Sequence, residues 1–278
     1  MAVETLAWGY GLLEGPRVDA ENALWFSDIP NGGVHRRTPD GEVTVVVPGR
    51  KMIGGLVLHA DGGVVVTGGS VDHISPDGSV RTLLKRDGVP HWNDCHTDAL
   101  GRVIVGAVRW ELMKQGAEPA PGECCRIGLD GSVEELYDGI TVSNGIGFSP
   151  DGSVLYHVDS VAKAIIAHDV DAEGRCSNRR VHAAVARGVL DGMCVDASGG
   201  IWAAHFGGRR AVYFDPSGAE AGEAPVPAKQ VTSVCLGGPD GRDLYIVTAD
   251  NTEEPERKGT IFRTRVDVAG VPTPLARV

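Results

Sequence analysis

The chain lacks any run of about 18 apolar residues, the length that marks a membrane-spanning helix. It opens MAVETLAWGYGLLEG, without the basic and apolar regions of an export signal. These absences point to a soluble, cytoplasmic protein with no membrane partner. A basic excess is missing as well: 26 Lys and Arg stand against 37 Asp and Glu, for a net charge of -11. That balance gives nucleic acid or an anionic surface no electrostatic support. Cysteine is sparse, six residues in 278 with no CxxC spacing, and a chain of this size does not need covalent staples. Free thiols are expected, with the adjacent Cys124 and Cys125 on opposite faces of a strand. No segment sustains a helical period, no low-complexity tract appears, and no change in composition divides the chain into halves. One domain spanning residues 1–278 is the economical reading.

Glycine is what the chain has in excess, 39 residues, and together with 16 prolines it punctuates short apolar runs. A turn of one acid, one or two small residues and Gly, followed by a strand, occurs at VDAENALWFSD from Val18, HADGGVVVTGG from His59, TDALGRVIVGA from Thr97, SPDGSVLYHVD from Ser149, VDASGGIWAAH from Val195 and GPDGRDLYIVTA from Gly238. The first copy has no Gly. Alternating with these is a second series: TPDGEV at Thr38, SPDGSV at Ser75, GLDGSV at Gly128, VDAEGR at Val170, DPSGAE at Asp215 and a weaker VDVAGV at Val266. Asp and Gly build the tight turns that short antiparallel strands need. Each pair of turns therefore defines a four-stranded unit of propeller-blade size, and six such units use up the chain. The predicted fold is all-β, a six-bladed β-propeller. Its longest irregular piece is Arg109 to Glu123, where Arg109, Trp110 and Met113 could wall a binding mouth. The charged stretch Asn251 to Gly259 reads as a solvated loop. Trp25 and Trp202 fit blade packing, and His205 fits core or channel lining on an innermost strand.

Polar residues recur where each innermost strand would begin. Glu14 precedes Asp19 by five positions, Asn93 precedes Asp98 by five, Asp191 precedes Asp196 by five, and Asn144 precedes Asp151 by seven. The two remaining units offer Leu56 and Ser233. Taken singly, Asn or Asp beside Gly is also a turn former. Equivalent positions on different blades face one axis, however, and the four together make a hard oxygen site suited to Ca²⁺, Mg²⁺ or Mn²⁺. An incomplete ring of ligands leaves room for water and substrate.

Eight segments carry a resemblance: EGP at Glu14, WFSDI at Trp25, WND at Trp92, SNGIGFSPDG at Ser143, YHVDS at Tyr156, SNRR at Ser177, LDGMCVDASGGIW at Leu190 and VTSVCLGGPDGRDLYIVTA at Val231. They span nearly the whole chain, and it resembles the SMP-30/gluconolactonase/LRE-like family. The resemblance implies a propeller with a central metal site holding one divalent cation, with Ca first and Zn, Mn or Mg as alternatives. Glu14, Asn144 and Asp191 would be ligands, and Asn93 would meet the ion directly or through water and substrate. Asp191 would also be the catalytic acid/base. Sugar-lactone members carry Arg where this chain has His91, and the family usually shows Gly where it has Cys95. The candidate substrate-binding residues are His91, Asn93 and Glu111, the last being the nearest match to a substrate-contacting Glu of the family, while His96, an odd number of residues from Asn93 on a strand, faces away.

The expected function is a metal-dependent lactonase in which the cation polarises the carbonyl of a small cyclic ester and Asp191 moves the proton of the attacking water. A phosphotriesterase-like or other ester hydrolase, and a Ca-binding regulatory protein without catalysis, are the alternatives. A metal-free interaction scaffold fits poorly with the acidic ring. The partner is a small lactone or ester, and the assembly a monomer or small homo-oligomer.

Overall fold

A computed structural model describes residues 3–111, 114 and 116–278. The described strands form six four-stranded antiparallel sheets, arranged as the six-bladed propeller that the turn series predicts. The innermost strands are Leu13–Val18, Leu56–Leu58, His91–Thr97, Ser143–Phe148, Val189–Val195 and Val231–Gly237. Within a blade the chain steps outward by hairpins. In the first blade Leu13–Val18 is followed by Leu24–Asp28, Val34–Arg37 and Val43–Val47.

Burial follows that order. Inner strands are covered on both faces and tolerate mostly apolar or small residues, whereas four of the five residues of Val43–Val47 are exposed. The core is a set of interfaces between blades. Val57 and Val65 of the second blade, for instance, pack with Trp92, Cys95 and Val105 of the third. Cys124 and Cys125 enter different clusters, on opposite faces of one strand, and all six thiols are free. Burial pushes the Cys125 thiol up to about 11.

Antiparallel connectivity brings both Asp-Gly turn series to one end of the ring and the beginnings of the innermost strands to the other. Asp98 shows why the turns are acidic: its Oδ1 accepts the N–H groups of Leu100 and Arg102, both at 3.0 Å.

Closure of the ring corrects the sequence reading. The weak turn VDVAGV does not make the last hairpin. The outer strand of the sixth blade is Glu4–Tyr10, paired antiparallel with Gly259–Arg265. Sealing the final blade with the first strand of the chain leaves no open edge at the join. Residues beyond Arg265 run across the turn end, where Val271 donates to Val195 O (3.0 Å), Ala276 to Leu58 O (2.8 Å) and Arg277 to Gly101 O (2.9 Å).

The loop from Asn251 is not simply solvated. Asn251 is buried, Arg257 lies 5.0 Å over the Trp8 ring of the closing strand and pairs with Glu254 at 2.5 Å. Pro255–Arg257 is a single 3₁₀ turn, and no helix among the described residues is long and apolar enough to cross a membrane.

Candidate active site

In every blade one residue opens the turn after the innermost strand by accepting the N–H of the residue three positions on. These are Asp19, His59, Asp98, Ser149, Asp196 and Gly238, at 2.8–3.0 Å. Five positions upstream stand Glu14, Gly54, Asn93, Asn144, Asp191 and Ser233. Asn144 therefore falls in step with the others, because Ser149 rather than Asp151 occupies the turn position. In the second blade the equivalent residue is Gly54 and not Leu56, which is buried in the core.

Backbone irregularity sets these residues apart from the strands that carry them. Pairing to the second strand jumps from Trp92 to Cys95, from Ser143 to Ile146 and from Leu190 to Met193. Asn93, Asn144 and Asp191 are thus each the first of two residues facing one on the partner, a β-bulge that re-aims the side chain. Glu14 sits at the edge of a similar jump to Arg17, whereas Leu56–Leu58 pairs without interruption.

The next residue is Gly15, Gly55, Gly145 or Gly192 in four blades, and the reason is close packing. A Cβ on Gly145 would lie 2.5 Å from Met193 N, one on Gly55 2.9 Å from Asp94 Cα, and one on Gly192 1.9 Å from Ser233 Oγ. The glycines of SNG and LDG are therefore neither turn formers nor strand caps, but points where neighbouring innermost strands pass each other.

A directional chain of hydrogen bonds crosses the third, fourth and fifth blades. Asn93 Nδ2 donates to Ser143 O (2.7 Å) and Asn144 Oδ1 (3.1 Å), and its Oδ1 meets His91 Nε2 at 3.2 Å. Asn144 Nδ2 donates to Ser160 Oγ at 2.9 Å, and Ser160 Oγ donates to Leu190 O at 2.7 Å.

Glu14, Asp94 and Asp191 are all buried. Burial, then the charges of Asp191 and Asp94, push the Glu14 carboxyl well above the usual carboxylate range. Burial and then Asp94 do the same to Asp191, whose Oδ1 is buried without a hydrogen-bond partner. Arg17 is the nearest compensating cation. It lies 3.5 Å from Asp94 and donates to Cys95 O and Pro16 O, both at 2.8 Å. Sequence reasoning passed over Arg17, Ser160 and Gly54. The available signal for Arg17 was a second charge, three residues after Glu14, on one buried inner strand.

The structure joins His91, Asn93 and Asn144 by hydrogen bonds, and Glu14 to Asp191 by electrostatics. It does not join Glu111, whose exposed carboxylate stands 3.7 Å from Lys114 Nζ. The root of that loop is clamped, with Arg109 on the buried Glu123 at 2.6 Å and Trp110 Nε1 donating to Thr141 O at 3.0 Å. Met113 lies outside the described residues. Burial pulls the His91 ring below the usual imidazole range, against the bond to Asn93. His96 turns the other way, beside Phe148 at 6.0 Å. His205 lies on the second strand of its blade, Ile201–Phe206, rather than an innermost one, and its Nε2 stands 2.7 Å from Arg187 O. A cavity of about 870 Å³ opens at the turn end, lined by Val18, His96, Phe148 and Pro272 among others, and so lies away from the strand beginnings.

Among the described residues, no three His, Cys, Asp or Glu side chains gather as a metal cluster. Any ion here would depend on two carboxylates supplemented by amide oxygens.

Known proteins share both sequence and shape with this chain. Regucalcin of Xenopus laevis is 32% identical over 275 residues, covering 93% of this chain and 92% of that protein. The pentonolactonase XacC of Haloferax volcanii is 30% identical, covering 91% and 89%. The crystal structure of a calcium-binding protein, regucalcin from Agrobacterium tumefaciens, superposes with a TM-score of 0.87 at 24% identity, covering 100% and 98%, and at that identity it speaks for the fold. The model of the SMP-30/Gluconolactonase/LRE-like region matches residues 12–250, and the chain belongs to that family.

Proposed function

We propose that the protein is a divalent-cation-dependent lactonase that hydrolyses a small cyclic ester at the strand-beginning end of its channel. The observation that carries this reading is the buried, unpartnered Oδ1 of Asp191 beside the Glu14 and Asp94 carboxylates. Buried acids that raise one another call for a cation, and Arg17 is engaged by Asp94 and two backbone carbonyls. The donor set fits one: Glu14, Asn144 and Asp191 would hold it, with Asn93 alongside, and hard oxygen ligands favour Ca²⁺ over thiophilic ions. A relative named as a pentonolactonase points the same way.

A bound dication supplies Lewis acidity toward the ester carbonyl and toward water. The chain's own groups do the rest. The oxygen of the Asp191 carboxylate not engaged by the ion takes the proton of the attacking water and returns it to the ring oxygen as the acyl bond opens, so that the same carboxylate serves as base and then acid. Asn93, held by His91 and Ser143, keeps Asn144 in place, and His91 offers its Nδ1 to a substrate hydroxyl. Burial around the carboxylates excludes bulk water and strengthens each charge interaction.

The test is turnover of aldonolactones, aliphatic lactones and aryl esters with and without chelator. Lactone hydrolysis lost on chelation and restored by Ca²⁺ or Mn²⁺ is the expected result. Tight metal binding with no turnover on any of these compounds would overturn the enzymatic reading in favour of a binding protein.

A further inference from the structure

The geometry points to Ser160 as the positioning residue that fixes which end of the Asn144 amide faces the cation. This inference rests on the reading of Glu14, Asn144 and Asp191 as a metal site. Its basis is the direction of each hydrogen bond. Leu190 O is a carbonyl and can only accept, so the single proton of Ser160 Oγ points to it, at 2.7 Å. The Ser160 oxygen is then an acceptor toward Asn144, and the amide must turn its NH₂ that way, at 2.9 Å. Asn144 Oδ1 is left facing the opposite side.

The other end of the chain agrees independently. Ser143 O is also a carbonyl, so the Asn93 group 2.7 Å from it must be the NH₂, and that same NH₂ reaches Asn144 Oδ1 at 3.1 Å. Two backbone carbonyls, one on each side, thus polarise both amides in the same sense. Asn144 Oδ1 keeps a lone pair for a cation, whereas a flipped amide would present N–H protons to it. Ser160 is itself held by the backbone, its N–H donating to Val142 O at 3.1 Å, and it is buried, so water is poorly placed to substitute for it. Because the bond ends on Leu190, the same hydroxyl ties the Asn144 amide to the residue preceding Asp191.

The experiment measures the Kd for Ca²⁺ by isothermal titration in wild type, Ser160→Ala, Asn144→Asp and the double variant, with metal-free Tm recorded for each. Loss of an outer hydrogen bond to a ligand typically weakens metal binding by about 10- to 100-fold, and that is expected for Ser160→Ala. A carboxylate has no distinct ends to orient, so in the Asn144→Asp background the same change should alter Kd by less than about 3-fold, below that range. Ser160→Cys keeps a slightly larger side chain of the same shape, leaves no cavity and offers only a weak acceptor, so it should behave like the alanine variant even if alanine perturbs packing. Equal weakening in both backgrounds would show a generic packing effect and overturn the inference. Unchanged Ca²⁺ affinity in Ser160→Ala and Ser160→Cys would overturn it while leaving the metal site intact. A wild-type chain that binds no divalent ion would sink the metal reading and this inference together.

Discussion

Asp191 and Asp196 stand five residues apart, near opposite ends of one inner strand, and their surroundings could hardly differ more. Asp196 is completely buried and fully bonded. Its Oδ1 accepts from Ser198 N (2.8 Å), Ser198 Oγ (2.6 Å) and Gly200 N (3.0 Å), and its Oδ2 from Tyr213 OH (2.9 Å). Asp191 has an oxygen with no partner, and acids rather than cations press on it. One residue type therefore does two jobs. At the turn end, Asp196 terminates hydrogen bonds that the chain itself provides; at the strand-beginning end, Asp191 keeps an oxygen that the chain leaves unsatisfied. Unpaired buried charge costs stability, so the orphaned oxygen of Asp191 marks its position as a functional candidate.

The contrast is most directly broken by exchanging which aspartate is neutral. Asp191→Asn should lower kcat/KM on lactones by about 1,000-fold, since it removes the proton acceptor, while leaving the metal-free protein at least as stable as wild type. Steady-state kinetics and calorimetry on the same preparation check both halves, and near wild-type turnover would refute the acid/base role. Asp196→Ala should do the reverse. Orphaning its donors is expected to cost about 3 kcal/mol of stability, read as a fall in Tm, with kcat per folded molecule little changed.

A subtler probe is Gly54→Ala. The added Cβ would fall 2.1 Å from Asn93 Oδ1 and 3.1 Å from His91 Nε2, so the amide must move. Because a small misplacement near the reacting groups is costly, kcat/KM should drop about 10-fold with little change in Tm. Retained activity would mean that Asn93 does not need its observed position.

The smallest effect concerns pH. Glu14 and Asp191 carry raised folded-state pKa values, so the folded metal-free protein holds protons that the unfolded chain releases. Their contribution is fully present below the ordinary carboxylate range and is lost as pH rises through the raised values. The metal-free protein should therefore lose stability across that window, by a few degrees in Tm. Added Ca²⁺, which competes with those protons, should stabilise more as pH rises. A Ca²⁺-induced shift in Tm that is flat across this window would count against the two acids as ligands.

Much of this molecule was written locally. Asp and Gly at repeated turns, and short strands between them, define six blades because turn chemistry and two-residue alternation depend only on near neighbours. Glu14, Asn93 and Asp191 could be picked out for the same reason, each five residues ahead of a turn. Tertiary contacts decided what remained. The closing strand Glu4–Tyr10 needed a partner about 250 residues away and the bulges at Asn93, Asn144 and Asp191 appear only when each strand is laid against the next. Gly54 matters because a neighbouring amide fills the space its side chain would take. Arg17 and Ser160 matter because their partners belong to other blades. Periodicity is a property of the chain, but close approach and charge compensation between blades exist only after the ring has closed.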